Sequence, residues 1–444
     1  MDRRGSIGAI HSIADTLAHH HGMKRKMWRH MCCMAVGMRN WGFLLGLCGM
    51  GIVGSLAACA SEELEEDIDE LGSEVKRTPR QVQMNDVSIL FPVAKNEKEK
   101  AAYLRASTKI AGGVILPANL YTSETGQPME RTKLPPVGAP NETPYNELHV
   151  TAMRLDPCFA SLSANPKESA CENQLRLILQ PGTGQDSAVH VFYTITRAEL
   201  VEAVTEIIAL RNASTTADLG PLNVHPLMKK EGLLGPTATG IHELIKRYAS
   251  EKNLSKFTVF SARDNFNWDF SSHAVKDGQA TRETIVTTDA TTQNFFVGFG
   301  QKPQGIFSPP TKHVDNVTLL LNETNWNAAS TTARKKAADA ALRVLNPGKH
   351  SPNTIDCASC HVAEPGLAER APTAFSAKNI NRFVADKRWI NAYDMRRMQT
   401  SRTEGNNFHI FSYKNDVARI STRAINETAG VVAYLNENYF KTAK

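Results

Sequence analysis

Two thiols and an imidazole stand close together in the C-terminal quarter of the chain, in the run Cys357-Ala358-Ser359-Cys360-His361. Cysteines three positions apart lie on one turn of a helix, so both sulfurs can bond to a single flat group. The histidine that follows can offer a ring nitrogen to a metal at the centre of that group. Cysteines at this spacing also serve thiol–disulfide exchange and zinc binding.

The full C-x-x-C-H pattern is that of covalent haem attachment. A zinc site would need a second Cys/His pair, and a thioredoxin-like site would need a βαβ frame, and the sequence shows neither. The motif therefore predicts one haem c, an iron porphyrin bonded covalently through Cys357 and Cys360. His361 is then the first axial ligand of the iron.

The surroundings of the motif resemble a class I c-type cytochrome over about residues 326–444. A helical stretch at Asn327–Val344 precedes the motif and another lies at Asn381–Met398, while Glu427–Leu435 is similar to the last helix of that family. The resemblance implies an all-α haem domain that transfers one electron at a time. It also implies a methionine as the sixth iron ligand, supplied by the loop before the last helix.

That loop, about residues 399–424, contains His409 but no methionine. Met395 and Met398 stand just upstream of it. We therefore expect His409 as the sixth ligand, with Met398, Met395 or an open iron site as alternatives. The choice matters because methionine raises the reduction potential, a second histidine lowers it, and an open site admits exogenous ligands.

The N-terminal end has the pattern of a bacterial export signal. Basic residues precede a 16-residue apolar run, Phe43–Ala58, which is shorter than the roughly 20 residues of a membrane-spanning helix. The run leads into Leu56-Ala57-Ala58-Cys59, which resembles the lipobox of lipoproteins. The resemblance implies cleavage before Cys59, lipid on that cysteine and, because Ala60 follows it, an outer-membrane or periplasmic location in the cell envelope. The alternative is an uncleaved signal anchor.

Two further cysteines, Cys158 and Cys171, belong to the part of the chain that would be exported. An oxidising compartment makes a disulfide the default for such a pair. The sequence therefore predicts a Cys158–Cys171 disulfide.

Composition limits the partners. The 444 residues are 41% hydrophobic and 22% charged, with a mean hydropathy of −0.32, which excludes a fibrous, disordered or polytopic membrane protein. Beyond residue 58 the chain carries 44 Lys/Arg and 43 Asp/Glu, so nothing favours nucleic acid as a partner. Residues 323–444 hold 18 basic and 11 acidic residues, which favours an acidic redox partner protein.

Hydrophobic periodicity predicts the elements of the central region. The expected strands are Val87–Phe91, Leu148–Leu155, Leu175–Leu179, Val189–Ile195, Phe257–Phe260, Glu283–Thr287 and Phe295–Phe299, and the expected helices are 96–106, Arg197–Arg211 and Ile241–Tyr248. We interpret His149 and His190, which lie in two of these strands, as structural residues. The predicted fold class is α+β, with a mixed N-terminal α+β domain followed by an all-α cytochrome domain.

The predicted organisation is a signal peptide at 1–58, a lipidated acidic tether at 59–83, an α+β domain of unassigned role at 84–322 and a cytochrome c-like haem domain at 323–444. We expect a lipid-anchored, extracytoplasmic mono-haem cytochrome that performs one-electron transfer. One alternative is a haem-dependent oxidoreductase whose N-terminal domain binds a substrate, which a polar cavity near the haem would favour. A haem-based sensor or binding module is the other, and an exchangeable sixth ligand would favour it.

Overall fold

The computed structural model describes residues 82–125, 145–157, 172–182, 187–215, 217–262, 267–297, 303–307, 309–311, 315–352, 354–370, 408–414 and 416–440. All of these residues belong to one compact unit, Glu65–Lys444. Their buried apolar side chains form one continuous core that extends from Val82 to Phe440.

The helices of the described part of the chain differ widely in length. They are α1 (Met84–Val87), α2 (Glu97–Ala101), α3 (Ala118–Thr125), α4 (Arg197–Ser214), α5 (Pro226–Glu231), α6 (Pro236–Tyr248), α7 (Thr318–Leu321), α8 (Glu323–Ala328), α9 (Thr331–Val344), α10 (Cys357–Arg370) and α11 (Thr422–Asn438). The longest, α4, begins with a capping box in which Thr196 and Glu199 each bond the backbone of the other, which is a strong helix-start signal.

The strands are β1 (Ser88–Leu90), β2 (Lys109–Ile110), β3 (Gly113–Val114), β4 (His149–Asp156), β5 (Asn173–Gln180), β6 (Ser187–Ile195), β7 (Leu254–Ala262), β8 (Asn267–Lys276), β9 (Gln279–Glu283), β10 (Thr292–Val297), β11 (Pro303–Phe307), β12 (Phe411–Lys414) and β13 (Val417–Ile420). Nine of them form one antiparallel sheet in the order β1-β4-β5-β6-β7-β8-β10-β11, with β9 paired to the second half of β8. β2–β3 and β12–β13 are separate hairpins.

One face of this sheet is aliphatic. Side chains alternate between the two faces of a strand, and the cross-strand register aligns Leu177 with Val191 and Val191 with Phe257. This face packs toward α6, since Phe91, which follows β1, stacks on His242 of that helix at 5.4 Å. The buried aliphatic positions on β5 and β6 are Leu175, Leu177, Leu179, Val189 and Val191.

The opposite face combines aromatic and polar side chains, and we call it the motif face because α10 packs on it. Phe270 on β8 lies between Phe260 on β7 and Gln293 on β10. Further along the same face, His190 on β6 is opposite Thr258 on β7. The alternation of buried and half-buried residues along β6 reflects this difference between the two faces.

The prediction of an α+β domain followed by an all-α cytochrome domain is wrong. The C-terminal segment contains the β12–β13 hairpin, and its helices α10 and α11 pack on the motif face of the nine-stranded sheet, within the same core. The physical reason is that the motif face carries charged side chains such as Arg154, which need buried partners. Glu427 on α11 supplies one, and helical periodicity alone does not reveal what a helix packs against.

Candidate functional site

The C-x-x-C-H motif forms the first turn and a half of α10, and its position is fixed by β10. The Asp356 carboxylate accepts a hydrogen bond from the backbone N–H of Ser359 at 2.8 Å, as an N-capping residue does. The Gln293 side chain donates to the same carboxylate at 2.7 Å and accepts from the backbone N–H of Ala358 at 2.8 Å. One side-chain amide on β10 therefore holds the first turn of the motif helix against the sheet.

Cys357 and Cys360 are half-buried, one helical turn apart, and are not joined in a disulfide. Burial raises the pKa of Cys357 to about 12 and that of Cys360 to about 11. Both thiols are therefore neutral at physiological pH. Thiol–disulfide exchange depends on a thiol whose pKa is lowered, so this environment does not favour a thioredoxin-like role.

His361 is held against the motif face by aromatic rings and a backbone carbonyl. Its ring stacks on Phe260 at 5.2 Å and lies tilted against Phe270 at 4.9 Å. Its Nδ1 atom lies 2.5 Å from the backbone oxygen of Phe408. A carbonyl oxygen only accepts, so Nδ1 carries the proton, and Nε2 is the nitrogen whose lone pair suits a metal.

His409 comes into the same neighbourhood. It is buried, its Nδ1 atom lies 2.7 Å from the Ser412 hydroxyl, and its ring is perpendicular to that of Phe260, with 5.6 Å between the ring centroids. One phenylalanine therefore contacts both histidines that the sequence assigned to the iron, His361 and His409.

His190, which we interpreted as structural, also lies in this neighbourhood. It stands on the motif face diagonally across from Phe260. Burial, with smaller contributions from the nearby Arg176, His361 and His409 side chains, lowers its pKa to about 3. It is therefore neutral, as a buried structural histidine would be.

Five of the predicted site residues lie outside the described residues, so the structure does not place them. They are Cys59, the disulfide pair Cys158 and Cys171, and the methionines Met395 and Met398.

Sequence reasoning missed the residues that hold the motif in place. Asp356 had a usable signal, because an aspartate directly before a predicted helix is a common N-cap. Phe260 and Gln293 had none, because their contacts with the motif join residues 63 or more positions apart. Phe270 is both buried and in contact with His361.

A cavity of about 510 Å³ opens at the other end of the hairpin that follows His409. Aromatic and polar side chains line it, and Tyr103 stacks on His149 in its wall at 4.1 Å. Tyr413 on β12 is fixed there by two hydrogen bonds of 2.8 Å between its backbone and the Gln180 side chain. The charged side chains of the lining are Lys95, Lys100, Arg105, Glu97, Glu147 and Asp416.

Among the described residues, no group of three or more His, Cys, Asp or Glu side chains is placed to hold a metal ion. The same ranges contain no helix that is both long and apolar enough to cross a bilayer.

Comparison with protein-family models, with curated proteins and with solved structures finds no match to this chain. Its function is therefore inferred from its own residues and their geometry.

Proposed function

We propose that this protein is a lipid-anchored c-type cytochrome of the bacterial cell envelope that carries one covalent haem and transfers one electron at a time. The observation that carries the proposal is the joint geometry of three groups. Cys357 and Cys360 are half-buried on one turn of α10, and the hydrogen bond from Nδ1 of His361 to the Phe408 carbonyl directs Nε2 to the opposite side of the ring. This donor set fits a covalently attached haem.

Each residue of the motif has a distinct role in this proposal. Cys357 and Cys360 would hold the haem through two thioethers, each formed by addition of an S–H bond across a vinyl double bond, with the hydrogen on carbon and no oxidant needed. The Phe408 carbonyl and the rings of Phe260 and Phe270 fix the His361 imidazole. The bound haem supplies iron that cycles between the ferric and ferrous states.

The direct test is the mass and absorption spectrum of the exported full-length protein. We expect the mass of one added haem and a sharp α-band after reduction. C357A and C360A should each lose one thioether, and the double variant should lose covalent haem altogether. S359A keeps all three chemical groups and serves as the matched control. Two unmodified sulfurs in wild-type protein made alongside the haem-attachment machinery would contradict the proposal.

A second candidate, a haem-dependent oxidoreductase, is favoured by the cavity. Tyr413 in its wall is four positions from His409, and such a segment spans at most about 14 Å. The lining has equal numbers of cationic and anionic side chains beside two tyrosine rings, which suits a small zwitterionic or polyhydroxylated reductant.

This candidate makes a kinetic prediction. Saturable reduction of the ferric protein by sugars or amino acids, weakened by R105A and unchanged by the exposed variant K276A, would support the oxidoreductase. Reduction that shows no saturation with any of these compounds would favour a simple electron carrier.

A further inference from the structure

The hydrogen bond between His361 and Phe408 fixes which side of the iron this part of the chain occupies. The two nitrogens of an imidazole point away from each other across the ring. A group that accepts a proton from Nδ1 therefore lies on the far side of the ring from a metal on Nε2. The backbone of Phe408 is at hydrogen-bonding distance from Nδ1, so with a metal on Nε2 it would lie on the His361 side of that metal.

His409 is the next residue in the chain, and its side chain stays on that side. Its ring contacts Phe260, the ring on which His361 stacks. Its Nδ1 atom bonds to Ser412 at 2.7 Å, which ties the Nδ1 side of the ring to its own hairpin. To reach the opposite face of the iron, this side chain would have to pass around the edge of the macrocycle, and one imidazole is too short for that.

We propose that His409 is a positioning residue on the His361 side of the haem and is not the sixth iron ligand. This inference rests on the proposed haem site, and it replaces the expectation drawn from the sequence. Its bond to Ser412 holds the turn that presents the Phe408 carbonyl to Nδ1 of His361. A hydrogen bond to the metal-bound histidine tunes the electron density at the metal. His409 then influences the reduction potential through His361, and the sixth ligand comes from another residue, for which Met395 and Met398 are the sequence candidates.

Two substitutions separate ligation from positioning. His409→Asn keeps a polar atom near the place of Nδ1, so it can still bond Ser412, but it has no Nε2 to bind iron. His409→Ala loses both functions. We expect H409N to keep the spin state and a reduction potential close to the wild-type value. We expect H409A to keep the spin state but to shift the potential, and S412A to shift it in the same direction.

The measurements are the absorption and electron paramagnetic resonance spectra of the ferric protein and a redox titration, with far-UV circular dichroism to verify folding. His225→Asn, at the N-cap of α5 and outside the cavity lining, is the matched control, since asparagine can also cap a helix. A change to high-spin iron in both H409N and H409A, reversed by added imidazole, would show that His409 is the ligand and overturn the inference. An unchanged potential in H409A would overturn the positioning role.

The outcome is distinguishable from failure of the proposed function. If wild-type protein carries no covalent haem, the proposed function itself fails. If haem is attached but H409N and H409A both become high-spin, the proposed haem site remains supported and His409 is the sixth ligand.

Discussion

Arg154 on β4 and Glu427 on α11 form a buried ion pair with an N–O distance of 2.5 Å, although 273 positions separate them in the chain. Arg423, one turn before Glu427, binds the same carboxylate at 2.7 Å. Asp156 binds the other side of Arg154 at 2.6 Å. These contacts fasten the last helix to the sheet, so we expect the sheet and the C-x-x-C-H motif to unfold in a single transition.

The first prediction concerns acid stability. Burial alone would raise the pKa of Glu427, but Arg423, Arg154 and Arg176 lower it to about 2. A glutamate in the unfolded chain has a pKa of about 4.3, so the unfolded state binds more protons between these values. This carboxylate therefore stabilises the protein fully above about pH 4.3, and the stabilisation, about 3 kcal/mol, is lost as the pH falls toward 2.

Urea unfolding between pH 2.5 and 7 measures this effect. We expect E427Q to lose about 3 kcal/mol at neutral pH, because the substitution leaves buried arginines unpaired, and to show a weaker decline in acid than the wild type. E437Q, at an exposed glutamate of the same helix, is the control and should follow the wild-type curve. If E427Q declines in acid as steeply as wild type, another group controls acid unfolding.

The second prediction concerns the amide that links the sheet to the motif helix. Gln293 makes two hydrogen bonds to the start of α10. In Q293L both are lost and the buried Asp356 carboxylate loses a donor, so we expect the free energy of unfolding to fall by about 1–3 kcal/mol. Chemical denaturation measures it, with Q279L on an exposed position of β9 as the control. Equal stability of the two variants would contradict the anchoring role.

Local patterns predicted much of the sheet. The alternation at Leu148–Leu155 matches β4, that at Leu175–Leu179 falls within β5, and the helical period at Arg197–Arg211 matches α4. These three predictions succeeded because the alternation of a strand and the amphipathic period of a helix are local properties of the sequence. The segment Glu283–Thr287 was predicted wrongly as a strand. β9 ends at Glu283, and Thr287 has a positive φ of 62°, a conformation typical of a turn.

The arrangement of the elements was not predictable in the same way. The C-x-x-C-H motif predicts Cys357, Cys360 and His361 as site residues because their spacing reflects the chemistry of attachment. The ring of Phe260 and the carbonyl of Phe408 contact His361 only because strand pairing and a long connection bring distant parts of the chain together. Such long-range contacts cannot be predicted from the local sequence. The family resemblance led to the wrong prediction of an all-α domain, because it concerns the helices and contains no information about the sheet on which they pack.

The third prediction concerns the lipid anchor. If Cys59 is the acylated residue, C59S should move the protein from the membrane fraction to the soluble periplasmic fraction or leave an uncleaved precursor. Fractionation followed by mass measurement of the mature N-terminus distinguishes these outcomes. C48S, at a cysteine inside the apolar run, is the control and should remain membrane-bound. A C59S protein that is cleaved and still membrane-bound would mean that another feature anchors the chain.

The last prediction concerns the ring that both histidines share. Phe260 is 5% exposed, stacks on His361 and makes a perpendicular ring contact with His409. F260L keeps an apolar side chain but removes both ring contacts, so we expect it to cost about 1–2 kcal/mol, less than the 3–5 of a Phe-to-Ala change. F296L, at a phenylalanine of β10 that is 37% exposed, is the matched control and should lower the free energy of unfolding only slightly.

In the haem-loaded protein, F260L should also shift the reduction potential, because the His361 ring loses the surface that fixes its orientation. A potential equal to that of F296L, despite the lower stability, would show that the Phe408 carbonyl alone orients the imidazole.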